Sequence, residues 1–135
     1  MNESDESLTQ ARIRVMIEFA DAYNRHDVDA ILALMTEDCE FLASAGTQPC
    51  GERFTGQSAV RARVASGLRE LAGARWVGAS HHVVADRGFS EWTFEMPLPD
   101  GSHVRRDGVD VFGFDGTRIR SKSTFQKWVT KDGER

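Results

Sequence analysis

The sequence predicts a single α+β domain in which three N-terminal helices pack on one face of a curved antiparallel β-sheet. Two observations predict it. Apolar residues recur at three- and four-residue spacings up to about residue 71, which is typical of amphipathic helices. From residue 75 onward they form strand-like runs separated by turns rich in glycine, proline and aspartate. Helices followed by consecutive strands form a layered fold with the helices on one side of the sheet.

The first helix is predicted over residues 8–25. Its apolar side chains repeat at helical spacing, and further apolar positions widen the stripe. A helix with so broad an apolar face is expected to lie across a sheet. The stripe comprises Ile13, Met16, Ile17, Ala20 and Tyr23, widened by Val15, Phe19 and Ala22.

Shorter elements follow the first helix. Asp27 is suited to cap a second helix through residues 31–35. A short strand is predicted at 40–44, and the glycines and proline of 46–51 indicate an irregular loop. The third helix is expected to open at Gln57 or Ser58, to end at Gly73, and to expose Arg61, Arg63 and Arg69 on its solvated face. Four strands are then predicted at 75–85, 89–96, 104–114 and 118–129.

Length and composition describe an ordinary globular domain. The chain has 135 residues, of which 40% are apolar and 28% charged, so we expect one domain over 8–129 with flexible ends at 1–7 and 130–135. No run approaches the ~18 apolar residues of a membrane span, and the acidic N-terminus is unlike a secretory signal. We therefore expect a cytoplasmic protein with no membrane partner.

The net charge and the two cysteines argue against two further kinds of binding site, for nucleic acid and for metal. A net charge of −4 argues against nucleic-acid binding, which needs clustered basic residues. Cys39 and Cys50 are expected to be free thiols, and their spacing does not indicate a metal site.

One acidic residue interrupts an apolar strand near the end of the sequence. Asp110 lies among Val109, Val111, Phe112 and Phe114, where a strand buries side chains on at least one face. Burying a carboxylate without a partner is costly. Either Asp110 faces outward and has no special role, or it faces a cavity and is the first candidate for a functional group.

Five short motifs, in this order, resemble the nuclear transport factor 2-like superfamily in its SnoaL-like branch, which includes polyketide cyclase-like and ketosteroid isomerase-like proteins. The resemblance covers residues 8–129 and is more specific for the fold than for any reaction. The motifs are Asn24 and Asp27 with DAILALMTEDC at 29–39, GERFTGQSAV at 51–60, EWTF at 91–94, the DG turn at 100–101, and GVDVF at 108–112.

This resemblance implies a cone-shaped pocket between the helices and the concave sheet face, with Asp110 pointing into it. In an apolar pocket Asp110 could stay protonated and donate a hydrogen bond, or shuttle a proton. The implied ligand is a small hydrophobic molecule, and no cofactor is implied. In the steroid isomerase of this superfamily, the hydroxyl donor would fall at Phe19 and the general base at Ala43, so the absence of both groups argues against that reaction. In the limonene epoxide hydrolases, the acid of the last strand would fall near Thr124.

The final hairpin decides which residues share a face with Asp110. A three-residue loop at 115–117 places Asp110 opposite Lys122, and such a pair would keep the carboxylate charged. A two-residue loop places Asp110 opposite Ser121 and turns the whole last strand over. The strand pattern of the resembled family favours the first arrangement, in which Lys122, Thr124 and Gln126 line the pocket.

Other candidates are weaker. Successive strand residues point to opposite faces, so only one of His81 and His82 can face the pocket, and we take His82, with a structural hydrogen bond favoured over catalysis. Asp110, Lys122 and His82 are thus the catalytic candidates. Glu91 is a candidate pocket acid, although an exposed glutamate is the more ordinary interpretation. The expected pocket walls are Phe19, Tyr23, Glu91, Trp92, Thr124 and Gln126.

Two functions remain open. The first is a cofactor-free isomerase, cyclase, dehydratase or hydrolase that acts by acid/base chemistry on a small hydrophobic carbonyl or hydroxyl compound. The second is a non-catalytic dimeric module that binds a hydrophobic ligand or a protein. A purely structural domain would need its pocket filled by side chains. We also expect a homodimer through the convex sheet face, where the last two strands place Val109, Val111, Ile119 and Phe125.

Overall fold

The computed structural model describes residues 3–130 and has the predicted α+β architecture. Helices pack on one face of a curved sheet whose strand order is β2-β1-β6-β5-β4-β3. The helices are α1 (Glu3–Asn24), α2 (Val28–Ala33) and α3 (Gln57–Glu70). The strands are β1 (Met35–Leu42), β2 (Arg53–Thr55), β3 (Arg75–Val84), β4 (Arg87–Pro97), β5 (His103–Asp115) and β6 (Arg118–Gln126).

The sheet is antiparallel except where β1 lies beside β6. These two strands run parallel, so the expectation of a wholly antiparallel sheet is wrong at this pair. Strand β1 is longer than predicted because it begins directly after α2, at Met35. The segment 53–55, which lies between the expected loop and the third helix and was not predicted as a strand, pairs with β1 as the short edge strand β2.

Helix α1 is longer and differently rotated than the sequence predicts. It begins at Glu3, so residues 3–7 are helical although they were expected to form a flexible end. Its buried face comprises Met16, Phe19 and Ala22, whereas Ile17, assigned to the predicted stripe, is 43% exposed. The helix therefore lies across the sheet as expected, on a face rotated away from Ile17.

The main core fills the space between helices and sheet. The α2 cap is confirmed, because the Asp27 carboxylate accepts a hydrogen bond from the Ala30 amide at 3.1 Å. Ile31 and Leu32 of α2 are fully buried. Other members of this core are Met16, Phe19, Met35, Cys39, Val60, Val64, Leu68, Phe112, Phe114 and Ile119. No helix within residues 3–130 combines the length and apolar character needed to cross a membrane.

Two bulges set which side chains face the helices. In β3 the pairing with β4 shifts by one residue between Val77 and Ser80, around Gly78, which has φ +66°. In β6 the pairing with β5 shifts between Ser121 and Ile119, so Arg120 is the extra residue. Each bulge reverses the alternation of side chains along the rest of its strand. Ile119 is consequently buried in the core, and its predicted place on the convex face is wrong.

A buried arginine joins α1 to two turns at one end of the sheet. The Arg12 side chain donates hydrogen bonds to the carbonyl of Gly116 in the β5–β6 turn, at 2.8 Å, and to that of Ala85 in the β3–β4 turn, at 2.7 Å. Its guanidinium also lies over the Phe114 ring. These contacts join the carbonyls of two turns to one side chain of α1, so Arg12 fixes this end of the sheet to the helix.

Replacing Arg12→Met should lower the free energy of unfolding by about 3 kcal/mol, because two charge-assisted hydrogen bonds are lost and two carbonyls lose their partner. Urea denaturation measures this change. Arg14→Met, on the exposed side of the same helix, is the matched control and should change stability by less than about 0.5 kcal/mol. Equal effects of the two variants would contradict the role given to Arg12.

Candidate functional site

Two cavities share walls between the helices and the inner sheet face. The outer cavity, about 290 Å³, is bordered by α3 and by strands β1, β3, β4, β5 and β6. The inner cavity, about 30 Å³, lies against α1 and reaches Asp110. Residues that line both are Tyr23, Trp76, Trp92 and Lys122. The space is not filled by side chains, which argues against a purely structural domain.

A buried ion pair forms the floor of these cavities. Lys122 Nζ lies 3.7 Å from Asp110 Oδ1, and the two side chains are only 7% and 11% exposed. Asp110 pairs with Thr124 across the strands, and Lys122 pairs with Phe112, so Asp110 and Lys122 are diagonal neighbours and not directly opposed as predicted. The Asp110 side chain lies on the inner face of the sheet, as predicted. The turn between β5 and β6 has two residues, Gly116 and Thr117, but the bulge in β6 adds one residue. Lys122 therefore lies on the face that the three-residue loop predicted.

Two neutral donors complete the surroundings of Asp110. Thr124 Oγ1 donates to Asp110 Oδ1 at 2.6 Å, and Trp92 Nε1 donates to Asp110 Oδ2 at 3.1 Å. Both carboxylate oxygens are therefore hydrogen-bonded inside the protein. A buried carboxylate supplied with donors and a cation is tolerated where an isolated one would not be.

The Lys122 ammonium group lies between two aromatic rings. Its Nζ is 4.4 Å from the centre of the Tyr23 ring and 4.6 Å from that of Phe41. Burial acts to lower the pKa of Lys122, but the Asp110 carboxylate and the hydrogen bond to Tyr23 more than offset it, so the pKa is raised. Lys122 therefore keeps its charge at neutral pH, stabilised by the ion pair and by the two ring faces.

Tyr23 supplies a hydroxyl group that the sequence interpretation treated only as pocket wall. Lys122 Nζ donates to the Tyr23 hydroxyl at 3.3 Å. Burial raises the pKa of Tyr23, although Lys122 opposes this effect, so the phenol is neutral at pH 7. Because its oxygen accepts from Lys122, its proton is available to a ligand. Phe19 occupies the position of the hydroxyl donor in the resembled steroid isomerase, and Tyr23 lies one turn later on the same face of the helix. This spacing was the sequence signal that a hydroxyl group faces the cavity.

Two catalytic and pocket candidates lie outside the cavities. His82 is exposed and contacts Ser80 on the outer sheet face, so its placement in the pocket is wrong. The bulge at Gly78 turns His81 inward instead, where its Nδ1 lies 2.7 Å from Ser90 Oγ and burial lowers its pKa. Glu91 is exposed on the face opposite Trp92. Neither His82 nor Glu91 can act on a ligand in these cavities.

The remaining expected wall residues border the cavities. Thr124 and Gln126 line the outer cavity, and Phe19 lines the inner one, where its ring meets Phe112 edge-on. Arg63 departs from expectation. It lines the outer cavity, whereas its neighbour Arg61 is exposed as predicted and pairs with Asp29.

Comparison with known families supports the interpretation of the fold. A model of the SnoaL-like domain matches residues 16–122, most of the chain. None of the curated protein sequences compared with the chain matches it.

Solved structures with the same fold are distant in sequence. TerC, co-crystallised with polyporic acid, is 18% identical with a TM-score of 0.74, over 87% of this chain and 92% of its own. A nuclear transport factor 2-like protein of unknown function from Mesorhizobium loti is 22% identical with a TM-score of 0.73, over 89% and 93%. A candidate polyketide cyclase from Xanthomonas campestris pv. campestris is 19% identical with a TM-score of 0.73, over 87% and 91%. At these identities the likeness shows the cone-shaped nuclear transport factor 2-like fold.

The ion pair predicts a strong energetic coupling. Asp110→Asn and Lys122→Met should each lower the free energy of unfolding by about 3 kcal/mol, because each leaves a buried partner uncompensated. The double variant should lose at least about 1 kcal/mol less than the sum of the two. Urea denaturation of the four proteins gives the coupling.

The same cycle on the exposed pair Arg105 and Glu95, whose side chains are 66% and 36% exposed, is the control. It should give a coupling below about 1 kcal/mol. Additive losses at Asp110 and Lys122 would mean that the two groups do not act as a pair.

Proposed function

The chain belongs to the SnoaL-like domain family, and from this premise we propose that it is a cofactor-free acid/base enzyme of the isomerase or cyclase type, acting on a small hydrophobic carbonyl compound. The observation that carries the proposal is the Tyr23 hydroxyl, which accepts a hydrogen bond from the buried Lys122 ammonium and borders both cavities. A neutral donor next to a fixed cation suits a carbonyl oxygen that becomes negative during reaction.

In this proposal Tyr23 and Lys122 stabilise an oxyanion. A carbonyl oxygen in the cavity accepts the Tyr23 proton as a hydrogen bond, and the Lys122 charge stabilises the enolate that forms when a neighbouring carbon loses a proton. Burial strengthens both interactions because little water competes. Asp110 keeps Lys122 charged and in place. It borders the inner cavity, so it is the proposed acceptor of the proton from a substrate carbon that extends from the outer cavity into the inner one.

The cavity walls favour a flat, hydrophobic substrate. Phe41, Trp76, Trp92 and Phe94 all border the outer cavity. Aromatic walls bind rings by stacking and by burial of apolar area. The structural neighbour TerC was co-crystallised with polyporic acid, which supports a small organic ligand for this chain as well.

The alternative is a binding module without catalysis. One observation favours it: Ala43 lines the outer cavity at the position where the resembled steroid isomerase carries its general base. A methyl group there cannot transfer a proton. In this alternative the polar cluster serves only to orient a ligand.

Hydrogen exchange at carbon separates the two functions. Wild-type protein should accelerate deuterium uptake at the α-carbons of 2-tetralone in D₂O above the buffer rate, as followed by NMR. Tyr23→Phe and Asp110→Asn should each reduce the protein-catalysed rate about 100-fold, since each removes a group that transfers or shares a proton. Binding of the ketone without exchange would support the non-catalytic module.

His82→Gln and Glu91→Gln are the matched controls for exchange, because both side chains face away from the cavities. Both variants should exchange at the wild-type rate. A loss in either one would contradict the assignment of the reaction to the inner sheet face.

We retain the homodimer as part of the proposed function, now on a corrected surface. Val109 pairs with Phe125 and Val111 with Phe89, so these four apolar residues adjoin on the convex face. Phe125 is 57% and Phe89 36% exposed. Continuous apolar area of this kind is typical of a surface that a second copy covers.

Phe125→Glu should convert the dimer to a monomer, because two carboxylates would be brought into an apolar interface. Sedimentation velocity at micromolar concentration measures the state. Gln126→Glu changes the neighbouring residue on the opposite face and should stay dimeric. A wild-type protein that sediments only as a monomer would rule out this interface.

Both cysteines, Cys39 and Cys50, are free thiols. Free thiols are typical of proteins in a reducing compartment, which supports the proposed cytoplasmic location.

A further inference from the structure

Two arginines at the outer cavity have no acidic partner. Arg63 projects from α3 and Arg106 from β5, and both line the cavity. Within the part of the chain that the structure describes, neither guanidinium group forms an ion pair or a hydrogen bond. Four other arginines, by contrast, pair with carboxylates: Arg25, Arg53, Arg61 and Arg105.

Aromatic rings hold both guanidinium groups in place. Arg63 Cζ lies 5.8 Å from the ring centres of Phe41 and of Phe54, and Arg106 Cζ lies 5.5 Å from that of Trp128. Stacking on a ring restricts the planar guanidinium but leaves its N–H donors unused. Two guanidinium groups that lie against rings and have free N–H donors suit a planar anion such as a carboxylate.

Gly67 makes room for the Arg63 guanidinium group. Gly67 lies inside α3, one turn after Arg63, where glycine weakens a helix relative to alanine. A Cβ at this position would lie 2.8 Å from a terminal nitrogen of Arg63. The missing side chain therefore gives the guanidinium its place at the cavity wall.

The charges around the outer cavity are unbalanced. Lys122 is already paired with Asp110, while Glu70 is the carboxylate that lines the outer cavity alongside Arg63 and Arg106. The Arg63 charge also acts on the cavity floor: like burial, it lowers the pKa of Lys122, and the Asp110 carboxylate opposes both effects by raising it. An anionic ligand would neutralise positive charge that the protein leaves unpaired.

We propose that the outer cavity selects hydrophobic ligands that carry a carboxylate, with Arg63 and Arg106 binding the carboxylate while the ring system packs among the aromatic walls. The inference deepens the proposed function and rests on the same cavity. It names the substrate class as an aromatic or polycyclic carboxylic acid in its ionised form.

Calorimetric titration with naphthalene-2-carboxylate and naphthalene-2-carboxamide tests the charge preference. The two probes share a ring system and differ in charge. Wild-type protein should bind the carboxylate at least about tenfold more tightly, the value of one good charge-assisted hydrogen bond. Arg63→Met and Arg106→Met should each weaken carboxylate binding about tenfold and leave carboxamide binding unchanged.

Two neighbouring arginines provide matched controls. Arg61→Met is on the exposed side of the same helix, and Arg105→Met is on the opposite face of the same strand. Neither should alter the affinity for either probe. A loss of carboxylate preference in these variants would mean that general surface charge, and not the cavity, makes the selection.

Gly67→Ala separates the site from the stability of the fold. Alanine favours the helix, so the melting temperature should not fall, yet the added methyl group displaces the Arg63 guanidinium and should weaken carboxylate binding. Unchanged carboxylate affinity in this variant would overturn the role given to Gly67 in placing the Arg63 guanidinium.

Equal affinity for the two probes, or no binding of either at millimolar concentration, overturns the inference. The titration needs no turnover, so its outcome is separate from that of the 2-tetralone exchange. Carboxylate preference without exchange rejects only the catalytic proposal, and exchange without carboxylate preference rejects only this inference.

Discussion

The buried contact between Asp110 and Lys122 is the constraint on which the site depends. Neither charge can be buried alone without a large penalty, so β5 and β6 must present both residues to the same face. The β-bulge at Arg120 meets this requirement by restoring the alternation that a two-residue turn would otherwise reverse. With the pair in place, Tyr23 and Trp92 each gain a polar partner at the cavity floor.

The fold and part of the site could be predicted because their signals are local. Helical and strand periodicities follow from which residues must be buried, and the ordered motifs resemble one family. Asp110 could be singled out because a carboxylate is out of place in a Val- and Phe-rich strand. The other side chains of the site were harder to predict. His82 was chosen over His81 by simple alternation along β3, which the bulge at Gly78 reverses. The isolated glycine Gly78 was a sequence signal for the bulge in β3, whereas Arg120 gives no such signal for the bulge in β6.

Other features depend on contacts between residues far apart in the chain. Arg12 is buried because the carbonyls of Ala85 and Gly116 meet above it, 73 and 104 residues away in sequence. The Tyr23 hydroxyl gains its significance from Lys122, 99 residues later. In the sequence such residues have the pattern of an ordinary solvated arginine or a core aromatic, so the folded arrangement is needed to distinguish them.

The place of β6 has a consequence for how the domain can be made. Among the described residues this strand comes last in sequence, yet it lies inside the sheet, between β1 and β5. Until it is synthesised, β1 and β2 are not hydrogen-bonded to the meander of β3, β4 and β5, and Asp110 lacks its partner Lys122. Contacts between distant segments form late and slow the search for the native state. The sheet therefore cannot be continuous until residues 118–126 have been made, and a ribosome that stalls before residue 118 leaves β1 and β5 without the strand that separates them.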